Sequence, residues 1–393
     1  MTLMTFIAVE VSYDTSVDYV VAAQQVNRVK AYYAAKSGIE ISLLRIMLYK
    51  QVMATIGSSL GQQKSMLDPI WSFPFMWPPV MPTGGNMTDV DKDMLKESVG
   101  ESLMSAQYAT SITPEGGKID INDLGSPIKT LKQEMIAQVL KIFTSEIQHN
   151  EAFARKYSSF KFDELVNNIA DYIDEDTQGL NGGDESSYYR DLEEKEIQMP
   201  PNRPLRTLDE LHQVAGMTDE FYNLLEPRVT VFGTKGININ YAAKEMLMAL
   251  DPSMTEEAVD KVIARRNDPK LGGPFKDDND FFGFIQPYGV NTKAIQDAKV
   301  PLLYDMEFNF RVVSTGLSSN VKREITVITY DYTNLTQRFA QFMDQQDQAN
   351  GIGTGTTSPQ VGSGTTSGSG NPSGNAKIQP PKGRPTVVYW EEN

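Results

Sequence analysis

AYYAAKSGIEISLLRI, residues 31–46, lies inside a longer run, residues 3–56, that contains no proline and a single glycine, Gly38. Its apolar residues recur at helical spacing and form one face of a helix: Ala35, Ile39, Leu43, Ile46 and Met47. The sequence therefore predicts one long N-terminal helix over residues 1–56. We expect it to end where Gly57, Ser58 and Ser59 interrupt the pattern.

Strand-like segments lie beyond this helix. Residues 106–122, AQYATSITPEGGKIDIN, contain two alternating runs around a Pro-Glu-Gly-Gly turn, which predicts a hairpin. Residues 305–316 and 321–333 alternate in the same way and predict a strand pair. Residues 57–100 are predicted to form a loop, and WSFPFMWPP within them contains too many prolines for a regular helix.

The C-terminal part of the chain changes character twice. Residues 345–383 are rich in Gly, Ser and Thr and predict a flexible linker, because they contain too little apolar surface to form a core. The chain then ends in RPTVVYWEEN, whose β-branched and aromatic residues predict a strand that returns to the body of the protein. The alternative is a frayed end.

Helical patterns occupy the middle of the chain, with residues 127–148 and 161–173 as the clearest helices. Because they lie between strand-like segments, the fold class is α+β. A long N-terminal helix packs on an antiparallel sheet, and a large all-α domain, residues 127–300, is inserted into it. The sheet domain then comprises residues 57–126, 301–344 and 384–393.

Composition excludes several classes of protein. The 393 residues carry a net charge of −15, which disfavours a protein that coats nucleic acid. The absence of cysteine excludes disulfides and thiolate sites, and only two histidines are present. Phosphate-binding, nucleophile-elbow and zinc-protease motifs are also absent from the sequence, so we expect no enzyme.

The first residues, MTLMTFIAV, are apolar but too few to cross a bilayer. They are typical of the end of a longer apolar helix whose beginning is missing. The alternative is a frayed N-terminal helix.

The segment DYIDEDTQGLNGGDESSYY, residues 171–189, concentrates acids and glycines between two helix-like patterns. Its spacing approaches that of a helix–loop–helix calcium loop, with Asp174, Asp176, Gln178, Gly179 and Glu185 at positions 1, 3, 5, 6 and 12. Gln178 and Asn181 depart from that pattern, and a solvated turn is the alternative. A second acidic loop, with Asp277, Asp278 and Asp280, is interpreted as a solvated loop that orders a turn.

Residues 236–266, GININYAAKEMLMALDPSMTEEAVDKVIARR, resemble a helix-hairpin-helix unit, a motif that often grips nucleic-acid phosphates. The turn here is Asp251-Pro252-Ser253 rather than a glycine-rich hairpin, and acids surround Lys261, Arg265 and Arg266. We expect a packing scaffold and no nucleic acid. A helix-hairpin-helix nucleic-acid-binding protein remains the alternative, with a calcium-dependent adhesin as a third possibility.

Several stretches, in this order, together resemble the K-type minor pseudopilins, the protein K family of type II secretion systems. They are AYYAAKSGIEISLLRI (31–46), GKIDINDL (117–124), the acidic segment 171–189, NRPLRTLDELHQVAGMTDEFYNLLEPRVTV (202–231), ININYAAKEMLMAL (237–250) and VVYWEEN (387–393). In the acidic segment, Asp184 replaces the family's alanine and Ser186 replaces an acidic residue.

The resemblance implies a pilin-like fold in which the first half of the long helix is a membrane anchor, here missing. It implies a non-enzymatic tip subunit that joins I-type and J-type minor pseudopilins, starts assembly, and caps the pseudopilus above the major pseudopilin. The protein would be held in the inner membrane of a Gram-negative bacterium and face the periplasm. The resemblance also implies structural calcium (Ca²⁺) at Asp171, Asp174, Asp176 and Glu185, while Ser186 leaves the ligand count open.

Overall fold

The computed structural model describes residues 2–79, 89–186, 189, 200–332 and 383–393. These residues form two compact units. The sheet unit contains the chain up to Thr113, Phe308–Tyr330 and the C-terminal residues from 383 onward. The inserted unit contains the described residues from Pro114 to Glu307, so that 114–126 and 301–307 group with the helices. The predicted linker, apart from residue 383, lies outside the described residues.

The predicted N-terminal helix is confirmed as α1, Thr2–Leu60, but its predicted end is wrong, because the helix continues through Gly57, Ser58 and Ser59. Its predicted apolar face lies toward the sheet, where Ala35, Ile39, Leu43 and Ile46 are buried and Met47 is partly buried. In the described part of the chain, no helix combines the length and apolar character needed to cross a membrane.

The strands are β1 (Phe75–Trp77), β2 (Gln107–Pro114), β3 (Ile119–Asp120), β4 (Val229–Thr230), β5 (Ile237–Asn238), β6 (Leu302–Leu303), β7 (Phe310–Ser318), β8 (Val321–Tyr330) and β9 (Thr386–Glu392). The sheet unit holds a five-stranded sheet in the order β1-β2-β7-β8-β9. The predicted strand pair is confirmed, because β7 and β8 are antiparallel neighbours. The returning C-terminal strand is also confirmed: β9 pairs antiparallel with β8, and Tyr389 lies opposite Ile328.

The further helices are α2 (Pro69–Ser72), α3 (Asp89–Gly100), α4 (Lys129–His149), α5 (Glu151–Tyr157), α6 (Phe162–Ile173), α7 (Asp219–Leu225), α8 (Lys244–Met248), α9 (Glu256–Asn267), α10 (Asp278–Ile285) and α11 (Thr292–Asp297). Short 3-10 helices span Gly61–Leu67, Ile121–Gly125, Leu208–Gln213, Pro269–Leu271 and Gln286–Tyr288. The predicted helices 127–148 and 161–173 are confirmed as α4 and α6.

The hairpin predicted over residues 106–122 is wrong. β3 pairs parallel with β4, so that Ile119 lies opposite Val229, and β2 lies between β1 and β7. Alternation shows which faces of a strand are buried but not which strand it pairs with. At the expected turn, the backbone of Gly117 instead lies against another segment: a Cβ atom there would lie 2.6 Å from the Cα of Ala242.

The loop reading of residues 57–100 is also wrong in part, because this region contains β1 and α3. WSFPFMWPP is indeed no regular helix: a single helical turn around Trp71 leads into the three-residue strand β1. Trp71 is buried against Phe310, with ring centroids 4.9 Å apart, and anchors this segment on the core of the sheet unit.

The inserted unit is mainly helical but not all-α as predicted. It contains two parallel strand pairs of two residues each, β3–β4 and β5–β6. Its buried apolar residues form one core that extends along the chain from Ile119 to Val300. Stacked and edge-to-face aromatic rings fill part of this core, including Phe143, Phe162 and Phe221.

Candidate metal centre

The acidic segment begins at the C-terminal end of α6. This helix buries one apolar face, which includes Val166, Ile169 and Ile173. Asp171 lies in its last turn, and Asp174 is the extended C-cap residue where the chain leaves the helix. The C-terminal end of a helix carries partial negative charge and disfavours carboxylates. Two acids at this position therefore need a compensating cation or strong hydrogen-bond donors.

The chain then folds back on itself as a small hairpin. Gln178 and Asp184 form an isolated antiparallel bridge, and the N–H of Gly179 donates to the carbonyl of Gly183 over 3.0 Å. Gly182 and Gly183 have φ values of +91° and +88°, which glycine adopts without steric cost. The segment therefore closes by a hairpin turn across residues 178–184 and departs from the helix–loop–helix wrapping suggested by its spacing.

Asn181 fixes this hairpin to α6. Its side-chain amide donates to the carbonyl of Glu164 and to Oδ1 of Asn168, each over 2.9 Å. Its Oδ1 accepts from the amide of Asn167 over 2.8 Å. An apolar residue would lose all three bonds, which explains the departure from the calcium-loop pattern at this position.

The structure brings three of the four predicted ligands together. Asp174, Asp176 and Glu185 each place a carboxylate oxygen within 4.8 Å of the others. Asp171 lies beside this group, where both of its carboxylate oxygens accept from the N–H of Leu180 at 3.0–3.1 Å. Ser186 donates to Asp184 and takes no place in the cluster. We call Asp174, Asp176 and Glu185 the acidic cluster.

Two members of the acidic cluster have a buried oxygen without a hydrogen-bond partner in the structure, Oδ1 of Asp174 and Oε1 of Glu185. The other oxygen of each residue is held by the protein: Lys132 Nζ lies 2.6 Å from Asp174 Oδ2, and the amide of Asn202 donates to Glu185 Oε2 over 3.2 Å. Buried carboxylate oxygens without a donor are costly, whereas a cation would satisfy them. The residues present therefore fit a bound metal ion.

The electrostatics agree with this geometry. Burial raises the pKa of Asp171 to about 6, with a further increase from the neighbouring carboxylate of Asp174. Burial, with Asp174 and Asp171 nearby, raises the pKa of Glu185 to about 7. When Asp171, Asp174, Asp176 and Glu185 are all ionised, the ion pair made by Lys132 leaves the site with excess negative charge. The donors are hard carboxylate oxygens without nitrogen or sulfur, a ligand set that suits calcium, magnesium or manganese.

No local sequence pattern points to Lys132 or Asn202, which lie 42 and 17 residues along the chain from the acids that they contact. Asn202 also donates to the backbone carbonyl of Asp176. Its φ of +47° is a left-handed conformation that asparagine tolerates better than most residues. Both residues orient acids of the cluster and leave the opposite oxygens unpaired.

The second acidic loop is a turn-ordering structure, as interpreted from the sequence. Asp277 caps α10 by accepting from the N–H of Asp280 over 2.9 Å, and Asp278 accepts from the Tyr304 hydroxyl over 2.8 Å. Asp280 pairs with Arg265 over 2.6 Å. Each of these acids therefore contacts a backbone or side-chain group of the same chain.

The helix-hairpin-helix interpretation is not confirmed. Two helices, α8 and α9, do flank the turn that contains Asp251 and Ser253, but this turn is held by its own side chains, with Asp251 Oδ1 accepting from the Ser253 N–H over 2.9 Å. Arg266 donates to the carbonyls of Ile239 and Ala242. With Arg265 paired to Asp280, two of the three expected cations are already engaged inside the unit.

The long helix on an antiparallel sheet, together with a mainly helical unit inserted between neighbouring strands, defines a pilin-like protein with an inserted domain. Residues 117–234 and 237–300 match two models described as "Type II secretion system (T2SS), protein K". The resemblance is confirmed over these residues: the inserted unit matches the type II secretion system protein K family.

The chain is also similar to one curated protein and to one solved structure. A curated protein of Escherichia coli (strain K12), "Putative type II secretion system protein K", is 39% identical over 82 residues, 20% of this chain. That match spans only 23% of the curated relative. A crystal structure of the GspK-GspI-GspJ complex from enterotoxigenic Escherichia coli contains a similar chain, with a TM-score of 0.54 and 17% identity, covering 80% of this chain and 95% of that one. This second likeness is one of fold.

Proposed function

We propose that this chain is a minor pseudopilin at the tip of the type II secretion pseudopilus, where it joins I-type and J-type minor pseudopilins, starts assembly and caps the filament. The family assignment supports a role in secretion, and the similar fold comes from a GspK-GspI-GspJ complex. In this role the protein is anchored in the inner membrane, faces the periplasm, and stands above the major pseudopilin. The nucleic-acid alternative loses support because Arg265 and Arg266 already contact groups of this chain, Asp280 and the Ile239 carbonyl, instead of being free to bind phosphates.

The observation that carries this proposal is the place of the insertion. The inserted unit leaves the sheet after β2 and returns at β7, and these two strands are neighbours. The insertion therefore interrupts neither the pairing of the sheet strands nor α1, and it adds a second unit to the pilin-like one. Pilin-type assembly stacks subunits through heterologous contacts between long helices. A subunit with a large insertion can keep one such contact and obstruct the next, which is the property that a cap requires.

The N-terminal half of α1 supports a helix-to-helix assembly role. Its apolar side chains are exposed along the helix, including Leu3, Phe6, Val9 and Tyr13. Exposed apolar surface of this extent is typical of a face that packs against partners.

The partner proposal is tested by mixing the purified chain with I-type and J-type minor pseudopilins and measuring size exclusion with light scattering. We expect a complex of the three proteins, and no complex with the major pseudopilin alone under the same conditions. The capping proposal is tested by adding the chain to assembling pseudopili, where it should shorten and multiply filaments. Failure to form the three-protein complex contradicts the assignment as a tip subunit.

We further propose that the acidic cluster, with Asp171 beside it, holds a structural calcium ion. The ion would satisfy the unpaired oxygens of Asp174 and Glu185 and offset the negative helix end. Because calcium binds the folded state, it should raise the melting temperature with the logarithm of its concentration. The double variant Asp174→Ala with Glu185→Ala should lose this response. Glu175→Gln is the matched control, because Glu175 lies between two members of the cluster but outside it.

A further inference from the structure

Lys132 occupies an unusual place for a lysine in a cation site. It lies at the end of the first turn of α4, and its Nζ is 2.6 Å from Oδ2 of Asp174. Both side chains are largely buried, with 18% of Lys132 and 9% of Asp174 exposed. Among the described residues, Lys132 is the cation that forms an ion pair with a member of the acidic cluster, Asp174.

We propose that Lys132 competes with calcium for the acidic cluster. Its ammonium group offsets the negative charge of the cluster when calcium is absent, and it weakens calcium binding when the ion is present. The inference rests on the proposed calcium site and adds the residue that sets its affinity. It assigns Lys132 no ligand role, since an ammonium group has no lone pair to offer.

The first physical argument is charge. A buried ammonium in contact with a ligand carboxylate lies within several ångströms of any cation bound by that carboxylate, and two positive charges at such a distance repel strongly where water is scarce. Removing the lysine charge should therefore tighten calcium binding.

The second argument is ligand availability. Lys132 engages Oδ2 of Asp174 and leaves only Oδ1 unpaired, so Asp174 can offer the ion one oxygen at the present geometry. Without the lysine, both oxygens become available, and calcium accepts carboxylates in either one-oxygen or two-oxygen mode. Both arguments predict the same direction of change.

The metal-free protein should respond in the opposite direction. Without Lys132, the buried carboxylate of Asp174 loses its cation and stands beside Asp176 and Glu185, and an uncompensated buried charge is strongly destabilising. The competitor model thus predicts a lower melting temperature in chelator and a larger increase on adding calcium.

The test compares the full chain with Lys132→Met, which keeps the aliphatic length of the side chain, and with Lys156→Met as the control. Lys156 belongs to the same unit and pairs with the exposed Glu220 instead of the acidic cluster. Calcium affinity is measured by calorimetric titration with calcium chloride, and melting is measured in chelator and in saturating calcium.

We expect Lys132→Met to bind calcium about tenfold more tightly or better, to melt earlier in chelator, and to show a larger calcium-induced shift, while Lys156→Met matches the parent. Unchanged or weaker calcium binding by a folded Lys132→Met protein overturns the competitor role and leaves the calcium site intact. A parent chain that binds no calcium overturns the calcium proposal itself, and the inference falls with it. If Lys132→Met does not fold in chelator but folds in calcium, the competitor role is supported.

Discussion

Gly316 of β7 lies so close to Ala31 of α1 that a Cβ atom at position 316 would come within 2.0 Å of the Ala31 carbonyl oxygen. The same atom would lie 2.6 Å from the backbone nitrogen of Ala35. Both neighbours are helix backbone and cannot rotate away as a flexible side chain can. Glycine at this position therefore sets the closest approach between the long helix and the central strand of the sheet unit.

Replacing Gly316 by valine should separate α1 from β7 and destabilise the sheet unit by about 1–3 kcal/mol, the usual cost of overpacking. The free energy of unfolding, measured by urea titration, checks this expectation. Gly283→Ala is the matched control, because Gly283 lies inside α10 and a Cβ atom there meets nothing within 4 Å. Equal stability of the Gly316→Val and parent proteins would contradict the close packing.

The elements of the sheet unit that were predicted correctly from the sequence are those with a long, regular pattern of apolar residues. The apolar face around Ile39 and the alternation around Val327 were sufficient, because each extends over many residues with one consistent period. The strand β1 was missed because three residues between prolines carry no measurable period. The partner of Ile119 was missed because Val229 lies 110 residues further along the chain, and its pairing depends on packing in the inserted unit.

Asn202 should act as a positioning residue for calcium. Asn202→Gly keeps the backbone at its φ of +47° and removes the amide that holds Glu185 and the Asp176 carbonyl. Loss of a partner that orients a metal ligand typically weakens metal affinity about 10–100-fold. Calorimetric titration with calcium chloride measures the change, and we expect weaker binding, opposite in sign to Lys132→Met.

Ser319→Gly is the control for this substitution. Ser319 also has a positive φ, +54°, and lies in the turn between β7 and β8 of the sheet unit. It introduces the same glycine without touching the acidic cluster, so calcium affinity should stay at the parental value. A similar loss in both variants would point to a general effect of glycine on the folded protein rather than a role for the Asn202 amide.

The site was partly predictable for a physical reason. Asp174, Asp176 and Glu185 lie within twelve residues, so one short turn can bring them together, and their spacing indicated this. The hairpin that brings them together depends on Asn181, whose bonds to α6 appear only in three dimensions. Lys132 comes from another helix, and sequence spacing contains no information about such a contact.

Without calcium, the protein should lose stability as the pH rises from about 4 to 7. The pKa of Glu185 is raised to about 7 and that of Asp171 to about 6, both chiefly by burial. In the unfolded chain, carboxyl groups titrate near pH 4. Between pH 4 and the raised pKa values, the folded state therefore binds more protons than the unfolded state, and its free energy of unfolding falls as the pH rises. The loss continues through pH 7, where Glu185 is still about half protonated in the folded state, and ends about one pH unit higher. Urea titrations in calcium-free buffer at pH 5 and pH 7.5 measure the difference.

Two comparisons assign this pH dependence to the site. Glu185→Gln removes one of the titrating groups and should reduce the loss of stability between pH 5 and pH 7.5. Asp123 also has a pKa raised to about 7, by burial and the nearby Asp120, so part of the loss should persist in this variant. Saturating calcium, which binds the ionised carboxylates, should offset the loss in the parent. Identical pH profiles for the parent and Glu185→Gln would contradict the burial of Glu185.

The C-terminal strand should contribute to the stability of the sheet unit despite its distance along the chain. β9 pairs with β8, Glu392 accepts from the Tyr32 hydroxyl of α1 over 3.0 Å, and Arg384 pairs with Glu40 of α1 over 2.8 Å. Deleting residues 384–393 removes the ladder to β8 together with both links to α1.

We expect this deletion to lower the melting temperature of the sheet unit and to increase amide hydrogen exchange along β8, because the strand becomes an open edge. The control deletes residues 354–373 instead, within the segment whose composition predicts a flexible linker, and retains β9. Because loop closure depends only weakly on length, this shorter connection should leave the melting temperature nearly unchanged. If β8 exchanges at the parental rate without residues 384–393, β9 adds no stability and the pairing of Tyr389 with Ile328 does not hold in solution.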